Sequence, residues 1–149
     1  MTRAQFNKIL LFKLPIAKIA GLRLHHFDGN EASISVTYGW LNQNPFRSMF
    51  WAVQGMAAEL STGILCIDKI QKSGQKVSML VVGLEANFTK KAIGKIIFTC
   101  EQGIELDSVL AKAVETGEGQ TLKMRSIGTD EKGDQVSEFF FTWSFKVKR

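Results

Sequence analysis

The segment from Ser48 to about Lys69 constrains the fold more than any other part of the chain. When it is arranged as an α-helix, small and apolar side chains occupy nearly every face, and Glu59 is the one carboxylate in its middle. A helix that is apolar all round is typical of a buried position. We therefore predict a long helix, capped by the Ser48 hydroxyl, that the rest of the chain encloses.

The remainder of the chain predicts an antiparallel sheet around this helix. Alternating or continuous apolar runs between turn signals predict strands at 22–27, 32–38, 77–89, 95–101, 121–129 and 135–147. A further helical connection is predicted at 106–116. Helices kept to one side of an antiparallel sheet make an α+β layout, and a sheet that wraps the long helix explains why that helix is apolar all round.

The first 20 residues predict a helical segment that Pro15 interrupts. Lysines interrupt its apolar residues, so we expect neither a signal sequence nor an integral membrane segment. Two interpretations fit the pattern: a helix that covers the domain's own sheet, which we favour, and an amphipathic helix that docks on anionic lipid.

Length and cysteine usage limit the class of protein further. The 149 residues suit one domain, and the net charge of +5 favours anionic partners without naming one. Cys66 and Cys100 each lie in an apolar run, which predicts buried free thiols, and no Cys and His grouping has the spacing of a metal site. We expect a cytoplasmic protein with no bound metal and no nucleic-acid partner.

Residues 48–60, SMFWAVQGMAAEL, resemble the start of the central helix in one branch of the hot-dog superfamily. That branch is of unknown function and is related to the phenylacetate-degradation type of acyl-CoA thioesterase. The stretch 21–38, with its Asp-Gly turn, is also similar. The resemblance implies a single hot-dog domain over residues 1–149, an antiparallel sheet wrapped around one long central helix. It also implies a homodimer or homotetramer with sites between subunits.

In thioesterases of that type, a loop Asn, a His-Gly-Gly at the helix start and an acid within the helix form the site. The resemblance places the loop Asn at Asn44 and the acid at Glu59, while Phe50, Trp51 and Ala52 replace His-Gly-Gly. It implies that Glu59 is the general base or nucleophile, that Asn44 orients the substrate, and that the Trp51 amide lies in the oxyanion site.

Other residues are predicted to contact the ligand rather than to react. Ala52, Gly55 and Thr62 lie roughly on the same side of the helix as Glu59, where small side chains leave room for a ligand. Thr62 is a candidate for holding a water molecule, and hydrogen bonding back to the helix is its alternative role. Phe50 is predicted to line the core or the wall of a tunnel.

Two lysines at a strand turn, Lys90 and Lys91, are predicted to receive the phosphates of coenzyme A, unless they belong to a solvated turn. The predicted function is that of an acyl-CoA thioesterase-like protein that hydrolyses an acyl thioester. It needs no cofactor beyond the coenzyme A of the substrate. The alternative is a non-catalytic hot-dog module that binds a fatty acyl group or another apolar ligand.

Overall fold

The helices and strands follow one another in the predicted order. The computed structural model describes residues 1–149. Its helices are α1 (Arg3–Lys13), α2 (Pro15–Ile19), α3 (Trp51–Ser73) and α4 (Gly103–Thr116), and a short 3₁₀ turn covers Trp40–Asn42. Its strands are β1 (Arg23–Phe27), β2 (Ala32–Thr37), β3 (Val77–Phe88), β4 (Lys95–Cys100), β5 (Gln120–Thr129) and β6 (Gln135–Val147).

The six strands form one sheet in the order β1-β2-β4-β5-β6-β3, and every neighbouring pair is antiparallel. β5 and β6 form the predicted hairpin. β3 pairs only with β6, from Val77 opposite Val147 to Phe88 opposite Ser137. β3 is therefore a long edge strand whose second side has no partner within the chain.

The central helix α3 lies on one face of the sheet and packs against β2, β4, β5 and β6, with few contacts to β3. Two glycines allow its close approach to the aromatic side chains of β6. A Cβ atom built on Gly55 would lie 3.5 Å from Phe139, and one built on Gly63 would lie 3.5 Å from Trp143. The side of α3 that carries both glycines therefore rests directly on β6.

The start of α3 differs from the prediction. The N-cap residue is Phe50, which makes no side-chain capping bond, and the helix runs on to Ser73, where Gly74 ends it in the left-handed conformation. Ser48 does not cap the helix because its hydroxyl is bonded to the Asn44 side chain. The loop closed by Asn44 thus takes the capping residue that the sequence offered.

The prediction that α3 is buried on all sides holds only for part of the helix. Residues 60–66 are all buried. In the preceding half, five residues keep accessible surface: Trp51, Ala52, Gly55, Met56 and Glu59. The sheet therefore encloses the second half of α3 and leaves one strip of the first half open.

The N-terminal segment covers its own domain, as the favoured interpretation predicted. Phe6 and Leu10 of α1 are fully buried in the core, and Pro15 begins α2 as the expected break. Both cysteines are buried free thiols, and burial raises the pKa of Cys66 and brings that of Cys100 to about 11. None of the helices has the length and apolar character needed to cross a membrane.

Candidate functional site

The open strip on the first half of α3, here called the accessible stripe, consists of Trp51, Ala52, Gly55, Met56 and Glu59. Residues three or four positions apart share one face of a helix, so these five side chains form one continuous surface. It borders the region that α3 leaves uncovered beside β3. Four of its five members are residues that the sequence predicted for the site.

Glu59 is the only ionisable member of the accessible stripe, and its carboxylate has no hydrogen-bond or ion-pair partner. Although the side chain reaches solvent, surrounding protein atoms displace enough water to raise the pKa of the carboxyl. A carboxylate with a raised pKa is a stronger base than a fully hydrated one. The environment of Glu59 thus suits proton transfer better than ion pairing.

The first turn of α3 offers free hydrogen-bond donors. Because Phe50 supplies no side-chain cap, the backbone N–H groups of Trp51 and Ala52 have no acceptor in the protein. Free N–H groups at a helix start, together with the helix dipole, favour a negatively charged oxygen. The residues that replace His-Gly-Gly therefore keep the backbone donors that the predicted oxyanion site needs.

A cleft of about 480 Å³ lies beside this helix start. Its walls come from the loop that precedes α3, from the end of β3 and from the turn before β4. The lining includes Asn44, Phe50, Trp51, Gln54, Phe88 and Lys91. Most of the surface is apolar, and the Phe50 and Trp51 rings meet edge to face with centroids 6.0 Å apart. An apolar acyl chain would match these walls.

Asn44 lines the cleft, but its side chain is committed to the loop. Its Oδ1 accepts hydrogen bonds from the backbone N–H groups of Phe46 (2.8 Å) and Ser48 (3.2 Å), and its Nδ2 donates to the Ser48 hydroxyl (3.0 Å). These bonds hold a turn in which Arg47 adopts the left-handed conformation, with φ of 61°. Asn44 thus shapes the cleft wall, and its role in orienting a substrate stays a prediction.

Thr62 does not fit its predicted place in a ligand site. It is fully buried, and its hydroxyl donates to the Glu59 carbonyl (2.8 Å) while accepting from the Trp143 indole N–H (2.8 Å). The hydroxyl therefore has no free capacity for a water molecule. It bonds back to its own helix, which was the alternative role, and it anchors β6 to α3.

The two lysines of the predicted phosphate site have different environments. The Lys90 ammonium pairs with Asp130 (2.6 Å) and Asp134 (2.8 Å) of the β5–β6 hairpin, and these hydrogen bonds raise its pKa. Its charge is neutralised, so the predicted phosphate contact does not fit. Lys91 donates only to the Phe46 carbonyl (3.0 Å) and keeps its charge beside the cleft.

Gln54 is a cleft residue that the sequence reasoning missed. Its Oε1 accepts from the Ser137 hydroxyl (2.7 Å), and its Nε2 donates to the Met49 carbonyl (3.3 Å), which leaves one amide hydrogen without an acceptor. The available signal was a polar amide near the start of an otherwise apolar helix. Such a group is costly to bury without a partner, so Gln54 was a candidate for an ordered contact.

One chain separates the two halves of the predicted chemistry. Eight residues lie between the Trp51 amide and Glu59, a distance of roughly 12 Å along the helix axis. A single thioester carbonyl within reach of the Trp51 amide is therefore out of reach of the Glu59 carboxylate of the same chain. The donors and the base form two distinct sites in an isolated subunit.

A family model described as a domain of unknown function, DUF4442, matches residues 2–145. The chain belongs to this family. No curated protein matches its sequence. Solved structures that share the fold extend the comparison.

A Pseudomonas aeruginosa protein of unknown function, named as a probable thioesterase, has a TM-score of 0.83 at 19% identity, covering 99% of this chain and 97% of its own. A Haemophilus influenzae thioesterase has a TM-score of 0.73 at 12% identity, covering 99% and 92%. A Staphylococcus aureus thioesterase has a TM-score of 0.69 at 15% identity, covering 89% and 98%.

These likenesses confirm the hot-dog fold, in which an antiparallel sheet surrounds one long central helix. They also confirm the predicted resemblance to a poorly characterised, thioesterase-related branch of that superfamily. At this level of identity they establish the fold and leave the chemistry to the residues described above.

Proposed function

We propose that this protein hydrolyses an acyl thioester, with acyl-CoA as the substrate class and Glu59 as the reacting carboxylate. The observation that carries the proposal is an unpartnered carboxylate of raised pKa on the same helical stripe as two free backbone donors. Thioester hydrolysis needs both elements, a base near the carbonyl and donors for the developing oxyanion.

The spacing within a thioesterase of the same fold supports this choice of residues. Two structures of the Staphylococcus aureus protein carry alanine in place of a glutamate and of a glutamine, and those two positions are fifteen residues apart. Asn44 and Glu59 are separated by the same number of residues. The amide and carboxylate of this chain thus have the spacing of a pair chosen for substitution in a thioesterase.

A homodimer would bring the two halves of the chemistry together. Two β3 edges with their exposed apolar side chains, Leu80, Val82, Leu84 and Phe88, would pair antiparallel and continue the sheet. The two accessible stripes would then run antiparallel about Gly55, which has no side chain to keep them apart. Glu59 of each subunit would lie opposite the helix start of its partner, and a tetramer of such dimers is compatible with the same site.

In the proposed reaction, Glu59 removes a proton from water as the water oxygen attacks the thioester carbonyl carbon. The negative charge that develops on the carbonyl oxygen is stabilised by the Trp51 and Ala52 N–H groups. Collapse of the tetrahedral intermediate breaks the carbon–sulfur bond, and Glu59 returns its proton to the leaving thiolate. The products are a carboxylic acid and free coenzyme A. Direct attack by the carboxylate to form an anhydride is the other route for the same residue.

The test is a panel of acyl-CoA substrates of increasing chain length, assayed with the wild type and with Glu59→Gln. Loss of the base should lower kcat/KM by roughly 10²–10⁴-fold. Glu118→Gln, an exposed glutamate outside the cleft, is the matched control and should keep wild-type activity. The proposal fails if the wild type turns over no acyl-CoA or if Glu59→Gln is as active as the wild type.

A second candidate function is favoured by the two large rings at the helix start. Phe50 and Trp51 occupy positions where the related thioesterases carry small or catalytic residues, and they narrow the cleft. A module that binds a fatty acyl group without cleaving it would use the same walls. Native mass spectrometry that finds a copurified acyl ligand, with no hydrolysis of any acyl-CoA, would favour this function.

We also propose a cytoplasmic location. Both cysteines are free thiols in the core, as a reducing compartment permits, and no disulfide contributes to the fold. Fractionation of cells that express the tagged chain would test this location directly.

A further inference from the structure

The positive charge of this protein has one source. The first 27 residues carry five cationic side chains, Arg3, Lys8, Lys13, Lys18 and Arg23, and not one carboxylate. The rest of the chain contains equal numbers of cationic and anionic side chains. The whole formal excess of +5 therefore belongs to α1, α2 and the start of β1.

The same five cations have no ion-pair partner. Elsewhere cations are commonly paired, as Lys69 is with Asp107 (2.9 Å) and Lys123 is with Glu85 (2.9 Å). Unpaired surface cations attract anions in proportion to their local density. The N-terminal segment thus presents a field that nothing within the chain neutralises.

Part of this charge lines a concave surface. A cleft of about 590 Å³ between α1, α2 and β1 is lined by Arg3, Lys18, Arg23, His25 and Lys95, and contains no acidic residue. Partial burial lowers the pKa of His25, and the nearby Lys95 and Arg3 lower it further. The effect on His25 indicates that these cations act on one small volume.

Large apolar side chains stand among the cations on the outer side of the same segment. Phe12, Ile16 and Ile19 are each more than half exposed, and they alternate along the chain with Lys13 and Lys18. The 3₁₀ turn adds Trp40 and Leu41, both largely exposed. The turn is tied to α2 because the Asn42 amide donates to the Ala20 carbonyl (3.1 Å).

We propose that this N-terminal face, formed by the exposed apolar residues and the unpaired cations of residues 1–27 with Trp40 and Leu41, docks the protein on an anionic phospholipid membrane. Aliphatic and aromatic side chains enter the boundary between headgroups and acyl chains, while lysines and arginines remain at the anionic headgroups. The surface offers both kinds of group side by side. The proposal goes beyond thioester hydrolysis and does not depend on Glu59.

The charge also decides against a second copy of this chain as the occupant. Two such faces would bring together cations that no carboxylate of the first 27 residues neutralises. A lipid surface supplies the missing negative charge and accepts protruding side chains without a matching pocket. Charge complementarity therefore favours an anionic bilayer.

The experiment is flotation of the full-length protein with vesicles of phosphatidylcholine alone or mixed with phosphatidylglycerol. The wild type should float with the anionic vesicles and not with neutral ones, and its partition coefficient should fall as salt is raised. Lys13→Gln/Lys18→Gln should lower the partition coefficient roughly thirtyfold, because each lysine near an anionic surface contributes roughly fivefold. Lys112→Gln/Lys132→Gln, which removes the same charge elsewhere, should change it less than twofold.

The apolar contribution is tested separately with Phe12→Ser/Ile16→Ser, against Ile104→Ser, an equally exposed apolar residue on α4. Only the first variant should lose binding, roughly tenfold or more, and circular dichroism should show that all variants are folded. Equal binding to neutral and anionic vesicles, or no flotation, would overturn the proposal. So would equal effects of the two lysine pairs, or self-association that Phe12→Ser/Ile16→Ser abolishes, which would identify the face as a contact between copies.

Discussion

The two halves of α3 differ in what surrounds them, although their composition is similar. Residues 60–66 are buried on every side by the sheet and by α4. The half before them rests on β6 at Gly55 but leaves Trp51 and Glu59 open to solvent. Both halves are rich in small and apolar residues, so composition alone does not separate them. The end of the sheet at β3 does, because α3 is left uncovered where β3 lies too far away to pack.

This difference teaches that one helix holds the fold together at one end and presents reactive groups at the other. The buried half cannot change volume without cost, whereas the open half can hold a carboxylate with no partner. Substitutions that exchange these two roles are the sharpest tests of the comparison.

The largest effect is expected from Ile64→Ala in the buried half. Ile64 is fully buried, so its truncation leaves a cavity and should lower the free energy of unfolding by about 2–5 kcal/mol. Trp51→Ala in the open half removes more atoms but should cost only about 1 kcal/mol or less, because solvent already reaches the ring. Chemical denaturation measures both, and equal losses would break the comparison.

A smaller loss is expected from Thr62→Val, which leaves the buried Trp143 indole N–H without its acceptor. The free energy of unfolding should fall by about 1–3 kcal/mol. Thr62→Ser keeps the hydroxyl and should retain most of the stability. If Thr62 held a catalytic water instead, activity would fall in Thr62→Val while the denaturation midpoint stayed at the wild-type value.

The two glycines of α3 offer a matched pair with a smaller effect. Both have room for a methyl group, since a Cβ atom would meet an aromatic carbon at 3.5 Å. Gly63→Ala should raise the free energy of unfolding by about 0.5–1 kcal/mol, because glycine disfavours a helix interior. Gly55→Ala should in addition weaken the proposed dimer and lower its activity. Sedimentation and the acyl-CoA assay measure the difference, which disappears if the stripes do not meet at Gly55.

The smallest effect concerns the pH dependence that Glu59 causes. Its raised pKa means that the folded state binds the proton more tightly than the unfolded state. The protonated carboxyl therefore favours folding at low pH, and this contribution is lost as pH rises through the folded pKa. Glu59→Gln should become slightly more stable relative to the wild type between acidic and neutral pH.

The same pKa should appear in the kinetics. The acidic limb of kcat/KM for the wild type should have its midpoint above the ordinary glutamate value of 4.5. A midpoint at or below that value would show that the carboxyl is fully hydrated in the folded protein and would remove the reason to treat the open half as distinct.

The sequence predicted what depends on local periodicity. The alternation in β2 and the apolar run of α3 located the elements, and a lone carboxylate within that run singled out Glu59. The roles of Thr62 and Lys90 could not be predicted in this way. Trp143 lies 81 residues from Thr62, and Asp130 and Asp134 lie 40 and 44 residues from Lys90. No spacing rule connects such distant partners.

The start of α3 was misplaced for a related reason. Ser48 has the residue type and position of a helix cap, but the loop closes on Asn44 first and engages the Ser48 hydroxyl. The open half of α3 was also not predicted, because a helical pattern cannot indicate where a sheet ends. Both errors arise from tertiary contacts that override a local preference.

The pairing of β3 with β6 has a consequence for the birth of the chain on the ribosome. β3 ends at Phe88, yet its only partner strand begins at Gln135 and closes the sheet with Val147 near the last residue synthesised. During translation β3 therefore emerges as an unpaired apolar strand and waits until elongation is almost complete. Protection of that strand by a chaperone, rather than the speed of any local step, would then govern how much native protein a cell obtains.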